Sequence, residues 1–316
     1  MLQFPLDDLL DEHACHDFLL HVLHPDGLQC PQGHPLPAAQ AAQERQRAPI
    51  VDDRCRSCGA VFNLVTGTIW TKPRSPGSTI VQILRGIAQG VSTKHLAEEL
   101  GLDRGQLLER RHRIQALVAE QLSPSGPLPD EVTEADELDQ HAGETGRKHR
   151  DPADPPRRRA NKMRGHGTWE MDRVPIAGVV GRESGHIRFP VCEHSERATL
   201  QPFGEAHTRS DATVNTDEWR AYDHLPATGR WHATVCHTPG QRDWVRDDDG
   251  DGIREVHTNT MDGIWTGLRN FLRPFRGVSK WFLPQYVTIF EWAHNLKRIT
   301  IAFLRAMRLP DTSEPP

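Results

Sequence analysis

The sequence predicts an α/β domain set behind a small metal-binding module and a helical segment, and three observations point there. Cys55-Arg-Ser-Cys58 has the two-residue gap of a metal-ligand pair. Residues 78–121 hold their apolar positions at helical spacing. From Val132 onward, strand-like and helix-like stretches alternate, as they do in a single α/β domain.

The 316 residues allow two or three domains, at roughly 100–200 residues each. The expected divisions are 1–72 for an N-terminal helix and metal module, 73–122 for a helix-turn-helix region, 130–309 for the α/β domain and 310–316 for a tail. The break falls at Ser123-Pro-Ser-Gly-Pro-Leu-Pro, a run of turn formers. Charged residues at 26% and hydrophobic residues at 36% exclude a wholly disordered or fibrous chain. No run approaches the ~20 apolar residues of a membrane span. Met1 to Asp8 is acidic, unlike the basic start of a secretory signal. Six Cys in so long a chain do not make a disulfide scaffold, so a reducing cytoplasm is expected.

Residues 5–23 read as a helix with Leu9, Leu10, Phe18, Leu19, Leu20 and Leu23 on its apolar side. Residues 28–70 read as a small β-rich module with too few apolar residues to fold without help. Zinc takes four soft ligands as two close pairs. Cys55 and Cys58 make one pair; Cys30 with His34 makes the other across a three-residue gap, with His24 as a substitute for His34. Next, Ser92 caps a short helix to Leu100, Gly101-Leu102 turns the chain, and Asp103 with Gln106 opens a second helix. Leu107, Leu108, Ile114, Leu117 and Val118 share one face of it. Arg104, Arg110, Arg111 and Arg113 decorate the rest, as a helix in a DNA groove requires.

In the α/β region, Asp136 lies on the strand-like Val132 to Asp139, and Asp217 ends the β-rich Thr213-Val-Asn-Thr-Asp217. Asp262 opens an amphipathic helix bearing Ile264, Leu268 and Phe271. Between the first two acids, Val174–Val180 and His186–Cys192 form a hairpin around Arg182-Glu-Ser-Gly185. Strand with Asp, two strands, helix, strand with Asp, helix with Asp: this order brings three acids to one edge of a mixed sheet. Clustered carboxylates raise each other's pKa unless a cation neutralises them. Two divalent cations roughly 3.5–4 Å apart would do so and would suit in-line phosphoryl displacement.

The net charge of −5 hides a segregation. Arg147, Lys148, Arg150, Arg157, Arg158, Arg159, Lys162 and Arg164 crowd into residues 147–164 against Asp151 and Asp154 alone, while residues 130–144 are acidic and hold no Lys or Arg. Base beside acid suggests a polyanion track next to a cation site, with Arg269, Arg273, Arg276 and Lys280 as further phosphate contacts. Asp247-x-Asp249-x-Asp251-Gly252 opens like a calcium loop of the EF-hand type, but Thr258 stands where such a loop needs Glu. It is read as a plain acidic loop leading to His257.

At Pro25 to Pro31, Cys55-Arg-Ser-Cys58 with Phe62 and Thr66-Gly-Thr68, Thr216-Asp-Glu-Trp-Arg-x-Tyr222, and above all His257-Thr-Asn-Thr-Met-Asp-Gly-Ile-Trp265, the sequence resembles the DDE transposases of bacterial insertion sequences that carry an N-terminal zinc ribbon, the ISXO-type group. The likeness covers nearly the whole chain. It implies an RNase H-like catalytic fold with Asp136, Asp217 and Asp262 as the catalytic acids, Mg2+ (or Mn2+) and structural Zn2+ as cofactors, and DNA strand cleavage and transfer. It also implies DNA as partner, both terminal inverted repeats and target, a homo-oligomer on DNA, and a nucleoid-associated place in the cytoplasm. His257 matches the motif one turn before the third acid, as a group to orient water or phosphate or as a structural hydrogen bond. Glu is commoner than Asp at the third position, so the helix carrying Asp262 has to come closer to the metals or bridge through water. The alternative function is a non-catalytic, zinc-dependent DNA-binding regulator derived from a transposase. A simple RNase H-like nuclease would join no ends.

Overall fold

In the computed structural model, Asp11 divides the helix expected over 5–23 into a 3-10 turn at Asp7–Leu10 and helix α1 (Glu12–Leu23). Its Oδ1 accepts hydrogen bonds from the N–H groups of His13 (2.8 Å) and Ala14 (3.2 Å), which is why the α-helix starts only there. The structure describes residues 7–34, 52–71, 75–122, 126–144, 167–236, 240 and 243–296. The basic stretch 147–164 and the tail 310–316 lie outside the described residues. The chain divides into two units, 1–122 with 296–316, and Ser123–Asn295.

In the first unit the expected β-rich module holds only the antiparallel pair β1 (Asp53–Arg54) and β2 (Val61–Phe62). The strands stay short because the chain between them folds into the tight turn that carries Cys55 and Cys58, closed by Cys55 N–H to the Ala60 carbonyl at 2.9 Å. Helices α2 (Gly77–Ala88), α3 (Thr93–Leu100) and α4 (Arg104–Leu122) follow. Ser92 Oγ accepts from His95 N–H, Gly101 takes the left-handed φ of 62° that ends α3, and Asp103 accepts from Gln106 N–H at 2.8 Å. The core buries Ile80, Ile83, Leu84, Ile87, Leu96, Leu107, Ile114 and Val118. Two of the four arginines expected in a groove turn inward. Arg111 is fully buried and donates to the Val91 carbonyl, and Arg110 lies 4.8 Å over the Trp70 ring. Only Arg104 and Arg113 remain exposed, because the basic face of α4 also has to cover the apolar groups beside it.

The second unit is built on a five-stranded mixed sheet. Its strands are β3 (Val132–His141), β4 (Arg173–Gly181), β5 (Ile187–Arg188), β6 (Thr213–Asp217) and β7 (Trp231–Val235), in the order β5-β4-β3-β6-β7. β4 runs antiparallel to β3 and β5, whereas β3, β6 and β7 are parallel. The expected hairpin of β4 and β5 is pinned by buried Asp130, whose carboxylate accepts from Glu183 N–H, Ser184 N–H and Ser184 Oγ at 2.7–2.8 Å. α5 (Arg197–His207) crosses between β5 and β6 and covers one face, packing its Leu200 over Ala135, Val179, Val214 and Tyr222. A small antiparallel pair, β8 (Val245–Arg246) and β9 (Val256–His257), encloses the acidic loop. α6 (Asn259–Leu272) and α7 (Leu283–Leu296) cover the other face, over Leu138, Val174, Ile176, Val180 and Ile187. Among the described residues no helix is long and apolar enough to cross a membrane.

Candidate active site and metal centres

The parallel pairing of β3 and β6 runs Val132 to Thr213, Thr133 to Val214 and Glu134 to Asn215. The same offset carried two residues further sets Asp136 level with Asp217 on neighbouring strands. Side chains alternate across a strand. Leu138 packs in the core under α6 and Val214 in the core under α5, so Asp136 and Asp217 both point to the α6 face. Asp262 stands in the first turn of α6, exposed. Burial pushes the Asp136 carboxyl up to about 7, and the charges of Asp217 and Asp262 push the same way. The three acids thus face one side of the sheet although they are far apart in sequence, but their carboxylate oxygens do not all come within 4.8 Å of one another. The donor set is all carboxylate oxygen, which suits a hard divalent cation.

Asp136 is held in place by Trp265, whose Nε1–H donates to its Oδ2 at 2.8 Å. The indole stacks on Phe189 (centroids 4.6 Å apart), and its Cη2 and Cζ2 come close to Gly178, the register partner of Asp136 on β4. Asp217 Oδ1 accepts from Trp219 N–H at 3.0 Å, fixing the turn after β6. Glu137 faces the other way, toward Tyr222, and burial with the neighbouring Asp136 raises it to about 9.

His257 ends β9 with its Nδ1 3.2 Å from Glu134 Oε1 and 3.1 Å from Arg182 Nη2. Burial and the Arg182 charge lower its pKa, favouring the neutral ring. The sequence reading missed Glu134, Arg182 and Gly178. Glu134 was findable, since it lies two residues before Asp136 and therefore on the same face. Arg182 and Gly178 carry no local signal, because their partners are distant in sequence.

Cys30, His34, Cys55 and Cys58 do converge, with one ligand atom from each lying within 4.8 Å of the others. Cys30 Sγ is 3.5 Å from Cys58 Sγ, and His34 Nδ1 is 3.8 Å from both Cys30 Sγ and Cys55 Sγ. A tetrahedron with Zn–S bonds of about 2.3 Å has edges of about 3.8 Å. The set therefore fits that ion. His24 is not part of it; its Nε2 meets the Leu64 carbonyl at 2.8 Å. Asp247, Asp249 and Glu255 also converge, on an acidic loop flanked by strands.

Of the basic residues expected to meet phosphate, Arg269, Arg273 and Arg276 are exposed. Lys280 is not available for that role. It is 3% exposed, and its Nζ meets Glu144 at 2.8 Å, Asp172 at 3.2 Å and the Trp169 carbonyl at 3.1 Å, because only paired does its ammonium survive burial.

Residues 145–295 match the ISXO2-like transposase domain. This segment is an insertion-sequence transposase domain. The transposase domain so matched contains Asp217, His257 and Asp262; Asp136 precedes it. Over 93% of its length the chain is 24% identical to an uncharacterized protein in transposable element ISH50 of Halobacterium salinarum, covering 94% of that relative. Solved structures similar to it include the HTLV-2 integrase catalytic core domain in complex with magnesium, 13% identical with a TM-score of 0.28 over 53% of this chain and 86% of that one. A pre-cleavage Mos1 transpososome is 10% identical with a TM-score of 0.21, over 68% and 77% of the two chains.

Proposed function

We propose that the protein is a DDE-type, RNase H-like insertion-sequence transposase that binds the ends of its element and cuts and joins DNA with Asp136, Asp217 and Asp262. One observation supports this reading: the sheet register sets Asp136 level with Asp217 on the face that α6, with Asp262 in its first turn, covers. Rigid strands present the first two carboxylates, and α6 presents the third. Bound by them, Mg2+ or Mn2+ would neutralise the cluster, lower the pKa of a water and stabilise the leaving oxygen. Trp265 keeps Asp136 aimed at the shared site. His257, tied through Nδ1, keeps Nε2 for a water or a phosphate oxygen. Hydrolysis would break a P–O3′ bond and free a 3′-hydroxyl, which would then attack target phosphate with the same inversion. No covalent protein–DNA intermediate is involved.

Cys30, His34, Cys55 and Cys58 would hold structural zinc. The module and the helix-turn-helix of α3 and α4, with Arg104 and Arg113 outward, would read the terminal inverted repeats. Arg269, Arg273 and Arg276, with the basic residues 147–164, would hold phosphates, and two copies would pair on two ends.

The test is cleavage of DNA carrying the element's terminal repeats, in Mg2+ and in Mn2+. Asp217→Asn is expected to abolish nicking, by at least ~1000-fold, while leaving end binding nearly intact. Normal cutting by that variant refutes the three-acid assignment. Binding without metal-dependent nicking by the native chain makes it a regulator instead.

A further inference from the structure

Helix α6 starts without a cap of its own: Thr258 stands at the N-cap and its side chain bonds none of the free N–H groups of the first turn. The missing acceptor comes from another strand. Glu134 Oε2 on β3 accepts from Met261 N–H at 2.9 Å, and Oε1 accepts from Thr260 Oγ1 at 2.8 Å. Glu134 is 0% exposed. Its charge is met by Arg182, whose Nε donates to Oε1 at 2.8 Å, with His257 Nδ1 3.2 Å from the same oxygen. Arg182 also donates to the backbone carbonyls of His257, at 2.7 Å, and Glu255. One buried carboxylate therefore ties β3, the β4–β5 turn, β9 and the first turn of α6 together. It does so two residues before Asp136 and at the residue before Asp262.

Stability alone does not explain such an arrangement, because a buried ion pair often contributes no more than apolar packing of the same volume. It does fix distances. Mg2+ accepts oxygen ligands at about 2.0–2.1 Å in near-ideal geometry, so a helix drift of about 1 Å would break a bond from a side chain as short as Asp. We propose that Glu134, locked by Arg182, is a positioning residue that sets the distance of Asp262 from Asp136 and so tunes divalent-metal affinity. This rests on the three-acid reading above. Glu134 touches neither metal nor DNA; it acts through the helix.

The experiment uses the full chain and Mn2+ alone, with free ion followed by electron paramagnetic resonance. Glu134→Gln keeps the size and the acceptor for Met261 N–H but loses the charge that locks Arg182. Its Mn2+ affinity is expected to fall by about 10-fold or more. Adding Asp262→Glu to it should recover several-fold, because the longer side chain spans the slack, whereas Asp262→Glu in the native background should bring no gain. An affinity equal to native in folded Glu134→Gln overturns the proposal. A loss that Asp262→Glu does not recover also overturns it, since a purely structural role predicts that result. If Glu134→Gln does not accumulate folded, Arg182→Lys keeps the positive charge but loses the carbonyl bonds, and unchanged Mn2+ affinity there is equally decisive against it. The underlying three-acid reading fails separately, if Asp217→Asn and Asp262→Asn each bind Mn2+ as tightly as the native chain.

Discussion

Gly178→Ala offers a sharp test of how the first acid is aimed. A Cβ on Gly178 would stand 2.7 Å from Phe189 Cε1, 2.7 Å from Trp265 Cη2 and 2.8 Å from Trp265 Cζ2. Carbon atoms are at ease at about 3.5–4.0 Å, so the indole has to retreat by close to 1 Å. It has little room to do so, since Phe189 stacks on it at 4.6 Å and Phe290 stacks on Phe189 at 6.2 Å. Overpacking of this kind costs about 1–3 kcal/mol. At about 2–4 °C per kcal/mol for a domain of this size, the melting temperature should fall by about 2–12 °C. The same retreat carries Nε1 away from Asp136, 2.8 Å off in the native protein. A hydrogen bond to a charged group is worth about 1.5–3 kcal/mol, so metal-dependent cleavage should fall by roughly 10-fold or more. Trp265→Phe separates the two effects, because it keeps most of the ring and deletes the donor: cleavage should fall further than stability. Calorimetric melts beside a terminal-repeat cleavage assay read both. A Gly178→Ala protein with native melting temperature and native cleavage would show that the indole is not seated on Gly178 and does not aim Asp136.

Cys58→Ser should lower zinc content from one ion per chain toward none and unfold the N-terminal module, read by metal analysis and by proteolysis within 1–72. Arg182→Met should destabilise the second unit by about 3–5 kcal/mol, by taking from buried Glu134 its guanidinium partner; an unchanged denaturation midpoint would refute the pairing. Burial raises Asp136 from 3.8 to about 7, Glu137 to about 9 and Glu291 to about 7. Their protonated forms suit the fold, so this part of the stability of metal-free protein is complete below pH ~4 and is lost as pH climbs through 7 and beyond. Since a cation favours ionised Asp136, the melting-temperature gain from added Mg2+ should be larger at pH 8 than at pH 5, and an equal gain at both would contradict the assignment.

The linear sequence determined a good deal about this protein. The two-residue Cys gap and the nearby Cys30 and His34 marked a metal cluster, because ligands paired by short turns announce themselves locally. Ser92, Gly101 and Asp103 placed helix ends, since caps act within a turn. Alternation placed Asp136 and Asp217 on strands and helical spacing placed Asp262 on α6. Other features depended on partners that only folding brings near. Arg110, Arg111 and Lys280 read as DNA contacts in a string of basic residues, yet packing over Trp70, burial beside Val91 and pairing with Asp172 took them out of that role. His34 rather than His24 joined the cluster, because His24 was already committed to the Leu64 carbonyl. Glu134 is one carboxylate among many in the sequence, and only the close approach of α6 to β3 makes it the cap of that helix. Local chemistry fixes what a residue can do, whereas burial and long-range register decide which of those options desolvation leaves open.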